Sequence, residues 1–395
     1  MTSSEQEARP MLEGVRIVDL TSVVFGPYAT QTLADLGADV IKVESPEAGD
    51  FYRWSAKAAR TPGMSPGYMS LNRGKRSIAL DLKKPDDLQV IHELLKDADV
   101  FILNVRGKAV ERLGLDFESV KAINPEIIYV HCVGFGQDGP YADLQAYDDV
   151  IQAASGTASL LSRVDGDPRA RYLPSLIADK VAGLHAAYAV LAAIVHKLKT
   201  GRGQKVEVPM LETFTHFMMV EHLAGKTFDP PNAPAGYSRQ LDPDRQPFPT
   251  KNGYISIVPY TDDSWARVFK LLEAPEFLDD PRFETRKLRA ENMADMYRQI
   301  GRLTPNFTTE ELVVRCKASD IPAQPVRDLE DVTEDPHLQA VGFFRRREHP
   351  TEGGVLDMRP PVRFSDFAPE PGRLAPNLGQ HSAEVRSGLR RDGAA

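Results

Sequence analysis

The sequence predicts an α/β protein: a mostly parallel sheet with helices on both faces, followed by a smaller α+β domain. Three observations carry this. β-Branched runs alternate with helical stretches from Val15 to Val208, and alternation at that pace implies parallel strands joined by crossover helices. A stretch rich in Pro, Asp and Gly breaks the rhythm at residues 226–250, as a linker does. Beyond it come a hairpin-like arm and several helices, and from Pro322 the text returns to strand and short helix. Boundaries are therefore expected at 1–225, 226–321 and 322–395.

The elements follow in order. "VRIVDL" is a first strand, and "ATQTLADLGADVIKVE" a helix and a second strand. "RSIALDL" is strand-like, and "PDDLQVIHELLKDA" has helical periodicity with Pro85 suited to a first turn. "DVFILNV" reads as a buried strand, and "FESVKAIN" and "EIIYVHCVGFG" continue the series. Residues 175–204 form an Ala- and Leu-rich run that begins after Pro174 and carries Lys197 and Lys199 just before Gly201, the start and stop signals of one helix. "KVEV" at 205–208 adds a strand and "PMLETFTHFMMVEHLAG" a helix.

The 395 residues are 42% hydrophobic and 26% charged, the profile of a soluble globular protein. Cys132 and Cys316 have no CxxC spacing and no histidine cluster beside them, so neither a metal site nor a disulfide framework is expected. A net charge of −8 opposes nucleic acid and anionic membranes, so an anionic ligand needs a local basic cluster. The start "MTSSEQEARPMLEG" lacks the pattern of a signal peptide, and the apolar runs read as too short to span a membrane. A cytoplasmic location is expected.

The first βα turn, "DLTSVVFGPYATQTL", carries Gly26 alone with Pro27 behind it. Without GxGxxG or a Walker A sequence, a nucleotide redox cofactor is not expected. "GMSPG" at 63–67 matches the nucleophile-elbow pattern around Ser65, but no strand leads in and no lasting helix leads out, so it reads as a loop. Basic residues gather at Arg73, Lys75 and Arg76, at Lys83 and Lys84, and at Arg106, Lys108 and Arg112. Converging strand ends could bring such groups to a polyphosphate; the other reading is a solvated surface.

Asp179 is the acid in the first turn of the long helix. There the positive end of the macrodipole and free N–H groups favour a carboxylate, so a helix cap is one reading. The other uses the same geometry: a carboxylate kept ionised by the helix end and stripped of water by apolar neighbours becomes a nucleophile. At an ordinary pKa of about 3.9 it would need no base at neutral pH.

Five segments, "LEGVRIVDLTSVVFGPYATQTLADLGADVIKVESPEAGD", "LNRGKRSIALDLK", "RLGLDFESVKAINPEIIYVHCVGFGQDGPY", "TGRGQKVEV" and "APNLGQHSAEV", together resemble the family III CoA-transferases. That group includes formyl-CoA transferase and carnitine CoA-transferase, and the resemblance runs from Leu12 to about Val385. It implies a Rossmann-like large domain built from both chain ends, so that 322–395 returns to it, and a homodimer of interlocked subunits. Coenzyme A enters as acyl-CoA substrate, with carboxylic acids as the other partners and no metal.

By the same resemblance Asp179, preceding Gly183 in "IADKVAG", is the catalytic aspartate. It would attack the thioester, give a mixed anhydride, and take CoA as an aspartyl thioester. CoA contacts fall on Val24, Phe25, Leu80, Asp81, Leu82, Lys83, Asn104, Val105, Arg106 and Arg112, with Lys83, Arg106 and Arg112 on phosphates and Leu80 and Leu82 near the adenine. Backbone donors for an oxyanion are expected in "GFGQDG", at Gly134, Gly136 and Gln137. Tyr147, Arg239 and Arg245 are candidates for the acyl pocket, the arginines for a second carboxylate of the acceptor.

Three departures stand out. Val24 and Ser45 replace a glutamine and an arginine of formyl-CoA transferase, and "PDRQPFPTKNGY" replaces its glycine-rich loop. Formate and oxalate are accordingly poor expectations. A rival reading is an α-methylacyl-CoA racemase, but Tyr147 in "AYDD" stands at its histidine's place, and a tyrosine of pKa near 10 is a poor base. A third is a CoA-binding protein without turnover.

Overall fold

The computed structural model describes residues 9–57, 59–367, 369 and 372–392. Along the chain run β1 (Arg16–Leu20), α1 (Phe25–Asp35), β2 (Asp39–Glu44), α2 (Pro66–Asn72), β3 (Arg76–Ala79), α3 (Pro85–Lys96) and β4 (Val100–Leu103). Next come α4 (Gly107–Arg112), α5 (Phe117–Ile123), β5 (Ile128–Val133), α6 (Asp148–Ala154), α7 (Leu160–Asp165), α8 (Ile177–Thr200), β6 (Lys205–Pro209) and α9 (Met210–His222). Then follow β7 (Phe248–Pro249), β8 (Tyr254–Ile257), α10 (Asp262–Leu271), α11 (Arg286–Glu291), α12 (Met293–Leu303), α13 (Thr309–Ala318) and β9 (Ala323–Pro325). The last are α14 (Pro336–Ala340), β10 (Phe344–His349), β11 (Gly353–Met358) and α15 (Ser382–Asp392).

The chain divides into two compact units: one spans the described residues to Ala158, Tyr172–Met218 and those from Pro336 on, the other Ser159–Arg171 and Met219–Asp335. The crossings differ from the sequence boundaries for local reasons. One falls inside the continuous helix α9. The return comes after Asp335 rather than at Pro322 because β9 pairs antiparallel with β8 of the second unit. Residues 159–171 belong to the second unit, and α7 within them buries no side chain that a periodicity could register.

In the first unit six strands lie in the order β3-β2-β1-β4-β5-β6. All five pairings are parallel. This is the doubly wound order, in which the winding reverses between β1 and β4 and opens a crevice at their carboxyl ends. The central strands are buried on both sides because both faces are covered. Ile17, Val40, Val100, Ile102 and Ile128 share a core with α1 and α8, whereas Val18, Ile41, Phe101, Leu103 and Tyr129 share the opposite core with α3, α5 and Val385 of α15.

Helix α8 is apolar and long enough by composition to cross a membrane, which the sequence reading did not allow for. Its buried side, including Ala182, Ala186, Val190 and Ala193, belongs to the first of these cores. The second unit has its own core, in which Phe248, Ile255, Trp265, Phe269, Tyr297 and Leu312 join β7, β8 and helices α10, α12 and α13.

Candidate active site

The turn from β1 to α1, residues 21–24, contains no glycine. Val23 has φ of +72°, a left-handed conformation that strains a β-branched residue. Side chains from neighbouring segments hold it there. Asn104 accepts the Ser22 N–H at 3.0 Å and donates to the Ser22 carbonyl at 2.8 Å. Asp50 Oδ1 accepts the Val23 N–H at 2.9 Å. The chain then enters α1 with the Phe25 backbone beside the carboxylate of Asp179, whose charged form it favours.

Asp179 lies in the first turn of α8 and is 7% exposed. It does not cap its own helix. Asp148 Oδ1 accepts the N–H groups of Ala178 at 2.7 Å and Asp179 at 3.1 Å. Gln152 donates to the other Asp148 oxygen at 2.6 Å and accepts the Leu173 N–H at 2.9 Å, fixing the segment that leads into α8. Capping therefore falls to Asp148, and the Asp179 carboxylate is left to face α1.

Burial, and then the charge of Asp148, push the pKa of Asp179 up to about 7 against the opposing influence of the Phe25 backbone. The ordinary carboxylate value anticipated from sequence is thus replaced by a group half protonated near neutrality, because desolvation outweighs the helix ends. Tyr52 faces the same group: burial and the Asp179 charge both raise its phenol. Gly183 makes the approach of α8 to α1 possible, since a Cβ there would lie 2.8 Å from the Phe25 carbonyl oxygen and 3.1 Å from the Tyr28 ring.

A cleft of about 680 Å³ opens at the β1/β4 switch point. The turn contributes Ser22 and Val23, and the segment after β4 contributes Asn104, Val105, Arg106, Lys108 and Arg112. His131, Gly134, Gln137 and Tyr147 line its other side. Arg106 and Arg112 are exposed there, and Tyr147 is 62% exposed. Residues 22–25 thus belong to the cleft at one end and to Asp179 at the other.

Other expected residues stand elsewhere. Val24, Phe25 and Leu80 are almost wholly buried core residues. Asp81, Leu82 and Lys83 form a turn into α3, tied by the Lys83 N–H on Asp81 and the Asp81 N–H on Asp87, and do not line the cleft. Two of the three N–H groups expected to meet an oxyanion are taken: Gly136 donates to Glu212 at 2.9 Å and Gln137 to Glu207 at 3.0 Å. Arg73, Lys75 and Arg76 do not line the cleft and are paired with Asp35, Asp19 and Asp39. Arg239 and Arg245 lie in the second unit, Arg239 over the Tyr260 ring and bonded to Tyr297, Arg245 bonded to Gln240.

Sequence reading missed Asp50, Tyr52, Asp148 and Gln152. The "AYDD" segment drew attention to Tyr147 alone, although Asp148 beside it supplies the cap that α8 lacks. Among the described residues no group of His, Cys, Asp and Glu is arranged to hold a metal ion.

Residues 12–382 match the model of CoA-transferase family III. The chain is a family III CoA-transferase. Its relatives include the succinate–glutarate CoA-transferase of Agrobacterium fabrum, 32% identical over 96% of both chains. The human succinyl-CoA:glutarate CoA-transferase is 34% identical over 95% of this chain and 85% of its own. The formyl-CoA:oxalate CoA-transferase of Escherichia coli is 31% identical over 95% and 94%. A CAIB/BAIF family protein from Brucella suis superposes with a TM-score of 0.81 at 30% identity, covering 96% of this chain and 99% of that one. The transferase accordingly acts on an acyl-CoA and a carboxylate.

Proposed function

We propose that this transferase moves CoA between dicarboxylic acids of about the size of succinate and glutarate, with Asp179 as nucleophile. The observation that carries the nucleophile is its setting: a nearly dry carboxylate, its pKa pushed up to about 7, beside the start of α1 and with no role in capping. The dicarboxylates rest on the names of the relatives at 32–34% identity. Val24 and Ser45, where formyl-CoA transferase has glutamine and arginine, favour them over formate and oxalate.

The ionised Asp179 attacks the thioester carbonyl, and the C–S bond breaks to release CoA thiolate and leave a mixed anhydride. The thiolate attacks the aspartyl carbonyl, the donor acid departs as carboxylate, and an aspartyl-CoA thioester remains. An acceptor carboxylate then displaces the thiolate, which takes the acceptor's acyl group and restores Asp179. No water is consumed, and both intermediates hydrolyse readily, so exclusion of water protects them. The start of α1 beside Asp179 stabilises developing negative charge at the same point. Arg106 and Arg112 in the cleft meet the CoA phosphates. The active species is an interlocked homodimer.

The test is isotopic. With acyl-CoA, free acid and heavy-oxygen water, transfer through Asp179 exchanges CoA between acids and yields a hydroxylamine-sensitive adduct on Asp179. Full transfer activity in Asp179→Ala would sink the nucleophile. In a parallel incubation in deuterated water, deuterium uptake at the α-carbon without acyl exchange would favour the racemase reading. A panel with succinate, glutarate, formate and oxalate as acceptors decides the acids.

A further inference from the structure

Asp50 follows β2 and is 3% exposed. Its Oδ1 accepts two backbone N–H groups, from Val23 at 2.9 Å and from Tyr52 at 2.9 Å. Its Oδ2 lies 2.8 Å from the Lys42 ammonium, and both side chains are sealed from solvent. Lys42 in turn donates to the Thr21 carbonyl at 2.8 Å. The Asp50 N–H donates to Glu44 Oε2 at 2.9 Å, and that oxygen is paired with Arg53 at 2.7 Å. One carboxylate therefore joins a buried charge network on β2 to the strained turn before α1 and to the 3-10 turn Phe51–Trp54 that carries Tyr52.

We propose that Asp50 is a positioning residue for CoA transfer: it holds Val23 in the left-handed region so that the start of α1 stays against Asp179, and it seats Tyr52 near the same carboxylate. A valine at φ of +72° relaxes toward negative φ unless a partner holds its N–H. A flip there swings the following backbone away from its direction into α1. A charged acceptor is the stronger partner for two N–H groups at once, and Lys42 fixes its orientation. The inference rests on Asp179 being the nucleophile.

The experiment compares Asp50→Asn with the parent chain in the pH dependence of kcat and of single-turnover adduct formation. The asparagine keeps the shape of the aspartate but loses its charge toward Lys42, and its amide nitrogen meets the ammonium. The titratable groups facing Asp179 are Asp148 from α6 and Tyr52 from the 3-10 turn, and both remain. With the Phe25 backbone drawn from Asp179, the acid limb is expected to move up by about one pH unit. The same loss lowers kcat at neutral pH at least about tenfold while KM for acyl-CoA stays within about twofold. A folded Asp50→Asn protein with the parent's acid limb and a rate reduced equally at every pH overturns the proposal, as does a change confined to KM.

Should Asp50→Asn fail to fold, amide hydrogen exchange on the parent decides. The Val23 and Tyr52 N–H groups are expected to exchange as slowly as those of β1, and exchange at exposed-loop rates overturns the proposal. Failure of the nucleophile itself looks different: transfer then survives Asp179→Ala. With that variant inactive and the acid limb of Asp50→Asn unmoved, only the positioning role falls.

Discussion

At the scale of single residues, Asp179 pays for reactivity with stability. Its pKa rises from 3.8 to about 7 on folding. The folded state therefore prefers the protonated acid. Stability from this group is full below the unfolded value and is lost as pH rises through the folded one. About three units correspond to roughly 4 kcal/mol as an upper bound, since relaxation and water entry reduce it. Asp179→Asn, which cannot ionise, is expected to melt higher than the parent at pH about 8, with the difference vanishing below pH about 4. Thermal unfolding across that range checks it. An asparagine variant no more stable than the parent at pH 8 would mean that the carboxylate is not desolvated. The same titration predicts transfer rates that fall below pH about 7 as the nucleophile protonates.

At the scale of elements, Gly183 couples helix packing to chemistry. A methyl group there would stand 2.8 Å from the Phe25 carbonyl oxygen, on backbone that cannot step aside. Gly183→Ala must push α8 from α1 and draw Asp179 away from the Phe25 backbone. Overpacking of this kind costs about 1–3 kcal/mol, and a displacement of around an ångström lowers kcat on the order of a hundredfold. Calorimetry and steady-state kinetics on the variant test both, and an alanine enzyme of near-normal rate would show that α1 takes no part.

The elements themselves were legible in the sequence because strands buried on two faces and a helix bounded by Pro174 and Gly201 leave local signals. The chemistry of Asp179 was legible only in part. Its place in a first turn is local, but its dryness, its cap from Asp148 and its partner in α1 come from residues 31 and 154 positions away. The buried charges were misread for the same reason. Lys75 looks like any surface lysine in "NRGKRS", yet it is fully buried against Asp19, 56 residues earlier. Occupied donors are equally invisible: nothing in "GFGQDG" announces that Glu207 and Glu212 already hold two of its N–H groups.

At the scale of the whole molecule, α8 leaves apolar side chains exposed in a single chain. Leu184, Tyr188, Val195 and Leu198 fall along one side of it and are 48%, 59%, 48% and 81% exposed. Their spacing brings them within one helical stripe, and a contiguous apolar stripe facing water marks an interaction surface. A second copy of the chain is the partner the proposed interlocked dimer supplies. Interlocking has a consequence that ordinary dimerisation lacks: the subunits cannot separate while folded, so dissociation and unfolding become one event. Two differently labelled preparations mixed in native buffer are then expected to yield no mixed dimers, whereas mixing after denaturation and refolding yields them in statistical proportion. The unfolding midpoint should also rise with protein concentration. A paired change, Tyr188→Glu with Leu198→Glu, should lower the yield of folded protein rather than release folded monomers. A folded, active monomer at nanomolar concentration, seen by sedimentation or mass photometry, would refute the interlock and leave the exposed side of α8 to another partner.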